Sequence, residues 1–253
     1  PGEGEPGPDL LVGAGHATHW PLLCARRAWG GATLALMKPS LPRHWFDWVV
    51  APAHDQVEGG NVIVTQGVLN AMQPGRKRPG SALVLVGGES KHFPWDNHRV
   101  MVQIEAILTK LPQARVTDSR RTPLPLRQEL ARRFAGRYQP WEDCPPGWLA
   151  AELAETEKAW VSEDSVSMIY ESLTAGCAVG LIGLPRADKP AGRIVHGIQA
   201  LERAGQVIRF DDWYAGRASL RAAEPAFREA DRVAGLIAPG LPAVRQGSES
   251  RRG

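Results

Sequence analysis

Ser162-Glu163-Asp164-Ser165-Val166-Ser167-Met168-Ile169-Tyr170-Glu171, followed by Gly176, is the stretch whose reading decides the fold. Ahead of it Ala159-Trp160-Val161 is apolar enough to end a strand. Behind the elbow, Val166, Ile169, Tyr170 and Leu173 recur at helical spacing and form one buried face. Ser167, Glu171 and Thr174 fall on the other face, and Gly176 closes the helix. Between strand and helix, Asp164 or Ser165 can accept hydrogen bonds from the first free backbone N–H groups. A strand, a polar elbow and a helix N-terminus together form an anion-binding layout. Glu171, one turn inside the helix, is placed to accept from two sugar hydroxyls. The same spacing also suits a capped surface helix with a solvated glutamate.

Outward from this stretch the chain alternates apolar runs with helical patterns. Ala178-Val179-Gly180-Leu181-Ile182, the segment Gly192 to Ala204, and Val207-Ile208-Arg209-Phe210 continue it, and a last helix carries Phe227, Ala230, Ala234 and Ile237. On the N-terminal side, Ala82-Leu83-Val84-Leu85-Val86 is a nearly continuous apolar run, as expected for a parallel strand covered on both faces. Val100, Ile104, Ile107, Leu108 and Leu111 mark an amphipathic helix with Asp96 as its N-cap. Arg115-Val116-Thr117 then leads to a helix start with Thr122 as cap and Pro123 at the first helical position. Nearer the beginning, Leu10-Leu11-Val12, a helix from Thr18 to Trp29, and Thr33-Leu34-Ala35-Leu36 have the βαβ rhythm. Phe46 to Val50 and Asn61 to Thr65 add two more strands.

The fold expected from this rhythm is α/β with parallel sheets, in two parts separated by a linker. Residues 1–8, rich in Pro and Gly and lacking an initiator Met, read as a disordered segment of a longer chain. Residues 9–72 form a first domain, 73–80 a turn-rich charged linker, 81–238 the second domain, and 239–253 a disordered tail. With 43% hydrophobic and 23% charged residues in 253, the chain can bury a core. No apolar run is long enough to span a bilayer, and no leader pattern opens the chain. The three cysteines, Cys24, Cys144 and Cys177, lie far apart without C-x-x-C spacing, so reduced thiols in a cytoplasmic setting are expected, with no zinc site. The net charge of +3 comes from scattered Arg and Lys, which gives no support to nucleic-acid binding.

Right-handed crossovers make the strands of such a sheet parallel, so the loops leaving their C-terminal ends gather on one edge, where open α/β sheets bind ligands. Those loops are Gly87 to Lys91, Asp118 to Thr122, Ser162 to Ser165 and Leu184 to Lys189. Their small residues and their cations Lys91, Arg120, Arg121, Arg186 and Lys189 favour an anion such as a diphosphate. Neither Gly87-Gly88-Glu89-Ser90 nor Gly13-Ala14-Gly15-His16 matches a Walker A loop or the G-x-G-x-x-G fingerprint, which disfavours ATP hydrolysis and nicotinamide binding. The G-x-S-x-G elbow and H-E-x-x-H are absent, so serine hydrolase and zincin chemistry have no support. His16, His54 and Asp55 lie in first-half loops, where an imidazole is suited to act as general base on an acceptor hydroxyl. Trp20, Trp45, Trp48 and Trp95 suit either packing or stacking on a sugar or lipid acceptor.

Val161 to Gly176, Gly87 to Lys91, Thr117 to Pro123, and Ala53-His54-Asp55 with Asn61-Val62 together resemble one family. It is the mitochondrial-fission "elongated mitochondria" family of plants and bacteria, whose bacterial members are also described as nucleoside-diphosphate-sugar epimerases and which looks like the GT-B glycosyltransferases. The resemblance implies two Rossmann-like domains with parallel sheets, the first incomplete because the family's first strand-loop-helix is absent here, the second holding the nucleotide of a sugar donor. It gives Glu171 the ribose, Ser165 and Ser167 the phosphates, and Gly87, Gly88, Ser90 and Arg120 the rest of the donor pocket. Lys91, Ser119, Arg121, Ser162, Glu163, Asp164 and Met168 complete the expected binding set. No cofactor and no metal are expected, the acceptor being a saccharide or a lipid-linked group. The activity implied is glycosyl transfer. The alternatives are a non-catalytic interaction module, and epimerisation or hydrolysis of the nucleotide-sugar.

Overall fold

The computed structural model describes residues 7–185 and 192–241. Residues 1–6 of the expected N-terminal segment, 242–253 of the expected tail, and Arg186 and Lys189 of the fourth loop lie outside the described residues. The chain divides into two compact units, residues up to Gly67 with those from Glu229 onward, and Val68 to Arg228. Among the described residues no helix is long and apolar enough to cross a membrane.

The first unit is a four-stranded sheet built from β1 (Leu10–Ala14), β2 (Ala32–Leu36), β3 (Trp48–Pro52) and β4 (Val62–Thr65), with α1 (His19–Trp29) between the first two strands. All neighbours are parallel, in the order β1-β2-β3-β4. Leu22 of α1 packs with Ala35, Phe46, Val49 and Ala51 to make its small core. Asp47 fixes the β2–β3 connection by accepting from the Thr33 N–H and the Thr33 hydroxyl, both at 2.8 Å.

The second unit runs through β5 (Arg78–Leu85), α2 (Asn97–Lys110), β6 (Ala114–Thr117), α3 (Leu124–Phe134), β7 (Tyr138–Gln139), α4 (Trp148–Glu155) and β8 (Thr156–Ser162). It continues with α5 (Val166–Thr174), β9 (Ala178–Ile182), α6 (Arg193–Arg203), β10 (Val207–Arg209) and α7 (Phe210–Tyr214). Its six strands are parallel in the order β10-β9-β8-β5-β6-β7. The chain therefore moves outward from β5 to β7, crosses back to β8 on the other side of β5, and moves outward again. The direction reverses between β5 and β8, where doubly wound sheets open a crevice at their C-terminal edge. The core of this unit includes Val84, Ile104 and Trp160, all fully buried. Trp160 lies in register with Gly180 on the neighbouring strand, and a Cβ on that glycine would stand 2.4 Å from the indole ring. The bare backbone at Gly180 is what lets so large a side chain fit inside the sheet.

Two expectations about boundaries change. Arg78 to Gly80, read from sequence as the end of a linker, are the beginning of β5, interrupted by a register shift before Ala82. The Pro79-Gly80 turn signal belongs to that irregularity: Gly80 has φ +78° and donates to Glu157. The last helix, α8 (Glu229–Ile237), falls in the first unit. Glu229 accepts from the Gln66 N–H at 3.0 Å, and Arg232 donates to the Val64 carbonyl at 2.6 Å, so α8 is tied to the end of β4.

Candidate functional site

Three loops leave the C-terminal ends of β8, β5 and β6, three adjacent strands of the six-stranded sheet, and are laced to one another. Gly87 donates its N–H to the Ser162 hydroxyl at 2.8 Å, and Gly88 donates to Asp164 Oδ2 at 3.0 Å. Ser119 Oγ donates to the Gly87 carbonyl at 3.1 Å, and the Thr122 hydroxyl reaches the Val86 and Gly87 carbonyls. A Cβ at Gly87 would meet Asp164 Oδ2 at 2.2 Å, and one at Gly88 would meet the Arg121 carbonyl oxygen at 1.9 Å. From sequence these glycines suggest close approach to a ligand; in the structure they permit close approach of loop to loop.

Arg121 is the main strut. Its guanidinium donates to the Gly88 and Glu89 carbonyls, to the Ser165 hydroxyl at 2.9 Å, and lies 2.8 Å from Asp164 Oδ2. The Asp164 side chain is 0% exposed, and its Oδ1 has no hydrogen-bond partner. Asp164 therefore faces the β5 loop. No side chain caps α5, although Ser165 occupies the capping position, which corrects the sequence expectation of an Asp or Ser cap. The N–H groups of Val166, Ser167 and Met168 keep the unsatisfied character of a first helical turn. A related correction applies to α3: Pro123 stands at its N-cap, and Thr122 closes the preceding turn by accepting from the Ser119 N–H.

A cavity of about 660 Å³ opens at this edge. Ser119, Arg120 and Arg121 line one side of it, and Asp164, Ser165, Val166, Ser167 and Met168 another. Arg120 is exposed and its side chain makes no hydrogen bond or ion pair among the described residues, so it is the cation available to a ligand. Asp118, which opens one of the expected ligand-edge loops, also lines it, as do Trp141 and Ile194, which the sequence reading did not place in the site. Asp118 accepts from three protein donors: Oδ2 from Arg127 Nε at 2.7 Å and the Tyr138 hydroxyl at 2.8 Å, and Oδ1 from the Trp141 N–H at 2.7 Å. Burial, reinforced by the Asp118 carboxylate, pushes the Tyr138 phenol up, so it stays a donor.

The remaining expected residues are more scattered. Ser162 is buried as the acceptor of Gly87. Glu163 is fully buried and accepts from the Leu184 N–H at 2.9 Å and from Arg209 at 2.9 Å, a tie between β8, the segment after β9 and β10; it does not line the cavity. Ser90 accepts from the N–H groups of His92 and Phe93, and Lys91 is exposed; neither lines the cavity. Glu171 is half-buried on α5, outside the cavity lining, and burial alone raises its carboxyl above the ordinary range. In the first unit, His16 is exposed in a single turn after β1, its ring 5.8 Å from that of His19, and His54 and Asp55 belong to the turn after β3. Among the described residues no group of three or more His, Cys, Asp or Glu side chains could hold a metal ion.

Among solved structures the chain is similar to a Listeria monocytogenes protein assigned as a UDP-N-acetylglucosamine 2-epimerase, with 9% identity, a TM-score of 0.49, and coverage of 92% of this chain and 75% of that one. It is also similar to S. aureus MnaA solved with UDP, at 11% identity and a TM-score of 0.41 over 92% and 74% of the two chains. A third is the pneumococcal O-GlcNAc transferase GtfA in complex with UDP and GlcNAc, at 11% identity and 0.40; the match covers 92% of this chain and 53% of that one. No curated protein matches the chain. The family model for mitochondrial fission ELM1 matches residues 1–241, nearly the whole sequence, and the chain belongs to that family.

Proposed function

We propose that the six-stranded unit binds the diphosphate of a nucleoside-diphosphate sugar and that the protein is a glycosyltransferase-type enzyme. The observation that carries this reading is the convergence, on one cavity at the reversal point of the sheet, of the uncapped first turn of α5 with the unpaired cation Arg120. Free N–H groups and a guanidinium are the donors that a diphosphate oxygen accepts from, and they also stabilise the charge that grows on it as a glycosidic bond breaks. Ser165 and Ser167 belong to the phosphate neighbourhood. Glu171, half-buried further along α5 without a hydrogen-bond partner among the described residues, is the acceptor proposed for the ribose hydroxyls. His16, His54 and Asp55 of the first unit are the proposed bases for the acceptor hydroxyl, and the chemistry proposed requires no metal.

A second reading, binding without turnover, draws on the cavity lining. Its two carboxylates, Asp118 and Asp164, both accept from protein donors, the latter through Oδ2, and among the described residues no histidine or cysteine is part of that lining. Calorimetric titration of the 253-residue chain with uridine, guanosine and adenosine diphosphates, followed by an assay of sugar release or transfer from the matching nucleotide-sugar, separates the readings. Binding with transfer supports the enzyme. Binding lost in Glu171→Ala but never accompanied by sugar release or transfer supports the module, and no binding of any nucleotide removes both.

A further inference from the structure

The stretch from Leu10 to Phe46 contains no Asp or Glu, yet it carries Arg26, Arg27, Lys38 and Arg43. Its formal charge of +4 exceeds the +3 of the entire chain. Although Arg and Lys are scattered along the sequence, their excess over carboxylates therefore falls here. The fold of the first unit draws this stretch into one surface. On α1, Trp20, Cys24 and Arg27 recur at helical spacing and all are exposed. The connection from Met37 to Asp47 runs beside the same helix. His19 Nδ1 lies 3.0 Å from Ser40 Oγ, Arg26 donates to the Trp45 carbonyl at 3.3 Å, and the rings of Trp20 and Trp45 stand 6.0 Å apart. Trp20 is 60% exposed and Trp45 39%, so two neighbouring indoles face water, an arrangement that marks a contact surface. Arg26 is offset by Asp47 at 3.2 Å. Arg27, Lys38 and Arg43 are exposed and make no ion pair among the described residues, so their charge is available to a partner.

We propose that this face docks on the surface of an anionic lipid bilayer, with Trp20 and Trp45 seated at headgroup level and Arg27, Lys38 and Arg43 against lipid phosphates. Charge complementarity identifies the occupant. An indole has an apolar body and one N–H donor, and it settles at the boundary between headgroups and acyl chains. Cations beside it gain from the negative potential of such a surface, and a stretch free of carboxylates brings nothing to repel it. The eleven residues of α1 are too few to cross a bilayer, so the contact is one of lying on the membrane. A nucleic acid would need a longer track of cations than the three available here. This proposal is independent of the diphosphate reading of the six-stranded unit.

The test sediments the full chain with vesicles of phosphatidylcholine alone and of an equal mixture of phosphatidylcholine and phosphatidylglycerol. Binding to the mixed vesicles is expected to be about tenfold or more tighter than to the neutral ones, and to weaken as salt is added. Trp20→Ala with Trp45→Ala, and separately Arg27→Glu with Lys38→Glu, are each expected to weaken it about tenfold or more. Arg76→Glu with Arg221→Glu, which reverses two exposed cations of the other unit, is expected to leave it within about threefold. Thermal melts check that each variant is folded. The Arg27 and Lys38 pair, exposed and without ion partners, keeps the test decisive if loss of Trp45 disturbs the chain. Equal binding to both vesicle types, no binding to either, or mixed-vesicle binding that persists in either of the first two double variants overturns the proposal. So does an equal loss in the Arg76 and Arg221 pair. Single-stranded oligodeoxythymidine bound in preference to vesicles, and released by the same substitutions, overturns it in favour of a nucleic-acid surface.

Discussion

Arg121 and Asp164 meet at 2.8 Å on different loops, the arginine half-exposed and the carboxylate shielded from solvent. The pair is asymmetric. Removing the arginine strands a buried anion, whereas removing the aspartate leaves a guanidinium that water can reach. Arg121→Met is therefore expected to lower stability by about 2 kcal/mol, below the ~3–5 kcal/mol typical of a fully buried pair because the arginine is solvated. The double variant Arg121→Met with Asp164→Asn should recover part of that loss. Urea denaturation of the four proteins measures it, and a stable Arg121→Met protein would contradict the strut role.

The neighbouring arginine should behave in the opposite way. Arg120 is exposed and its side chain makes no hydrogen bond or ion pair among the described residues, so Arg120→Ala should change stability by no more than about 0.5 kcal/mol. Pyrophosphate affinity should nevertheless fall by about tenfold, because a charge-assisted hydrogen bond is lost. Calorimetry alongside a thermal melt reads both quantities. Undiminished binding would show that Arg120 is only a surface charge.

Gly87 and Gly88 differ in what a methyl group would strike. At Gly87 it meets the Asp164 and Ser165 side chains; at Gly88 it meets the Arg121 backbone carbonyl and the Thr122 nitrogen. Side chains can turn aside, and backbone held by its own hydrogen bonds cannot. Gly88→Ala is accordingly expected to cost about 3 kcal/mol or more, and Gly87→Ala less. Denaturant midpoints of the two variants give the order, and the reverse order would refute the packing account.

Burial raises the Glu171 carboxyl, so the folded chain favours its protonated form. The stability linked to that proton is fully present below the ordinary glutamate range and is lost as pH rises through the elevated folded value. Glu171→Gln cannot ionise and escapes this loss. The variant should melt above the wild type at pH 7, with the difference shrinking toward pH 4. Equal melting temperatures at both pH values would indicate a fully solvated side chain.

Much of the second unit was legible because its strands carry unmixed apolar runs and its helices carry strong periodicity. Ala82 to Val86 lies almost wholly in β5, and the Asp96 cap is real, its carboxylate accepting from the Arg99 N–H. The parallel sheets expected from the βαβ rhythm are both present. What escaped notice was short or used polar residues inward. β7 has only two residues, too few for any period, and with it went Trp141, which lines the cavity. Asp164 and Glu163 enter the expected binding set through the family resemblance, yet both side chains are shielded from solvent. Their burial depends on Arg121 and Arg209, which lie more than 40 residues away in the chain, a distance over which local pattern carries no information. The return of α8 to β4 escaped for the same reason, since Glu229 finds Gln66 across the whole intervening unit.

That return gives the molecule two covalent passages between its units, one after Gly67 and one before Glu229. A protease that nicks either passage alone leaves the halves joined through the other. Liberating Val68 to Arg228 as a separate fragment takes two cuts.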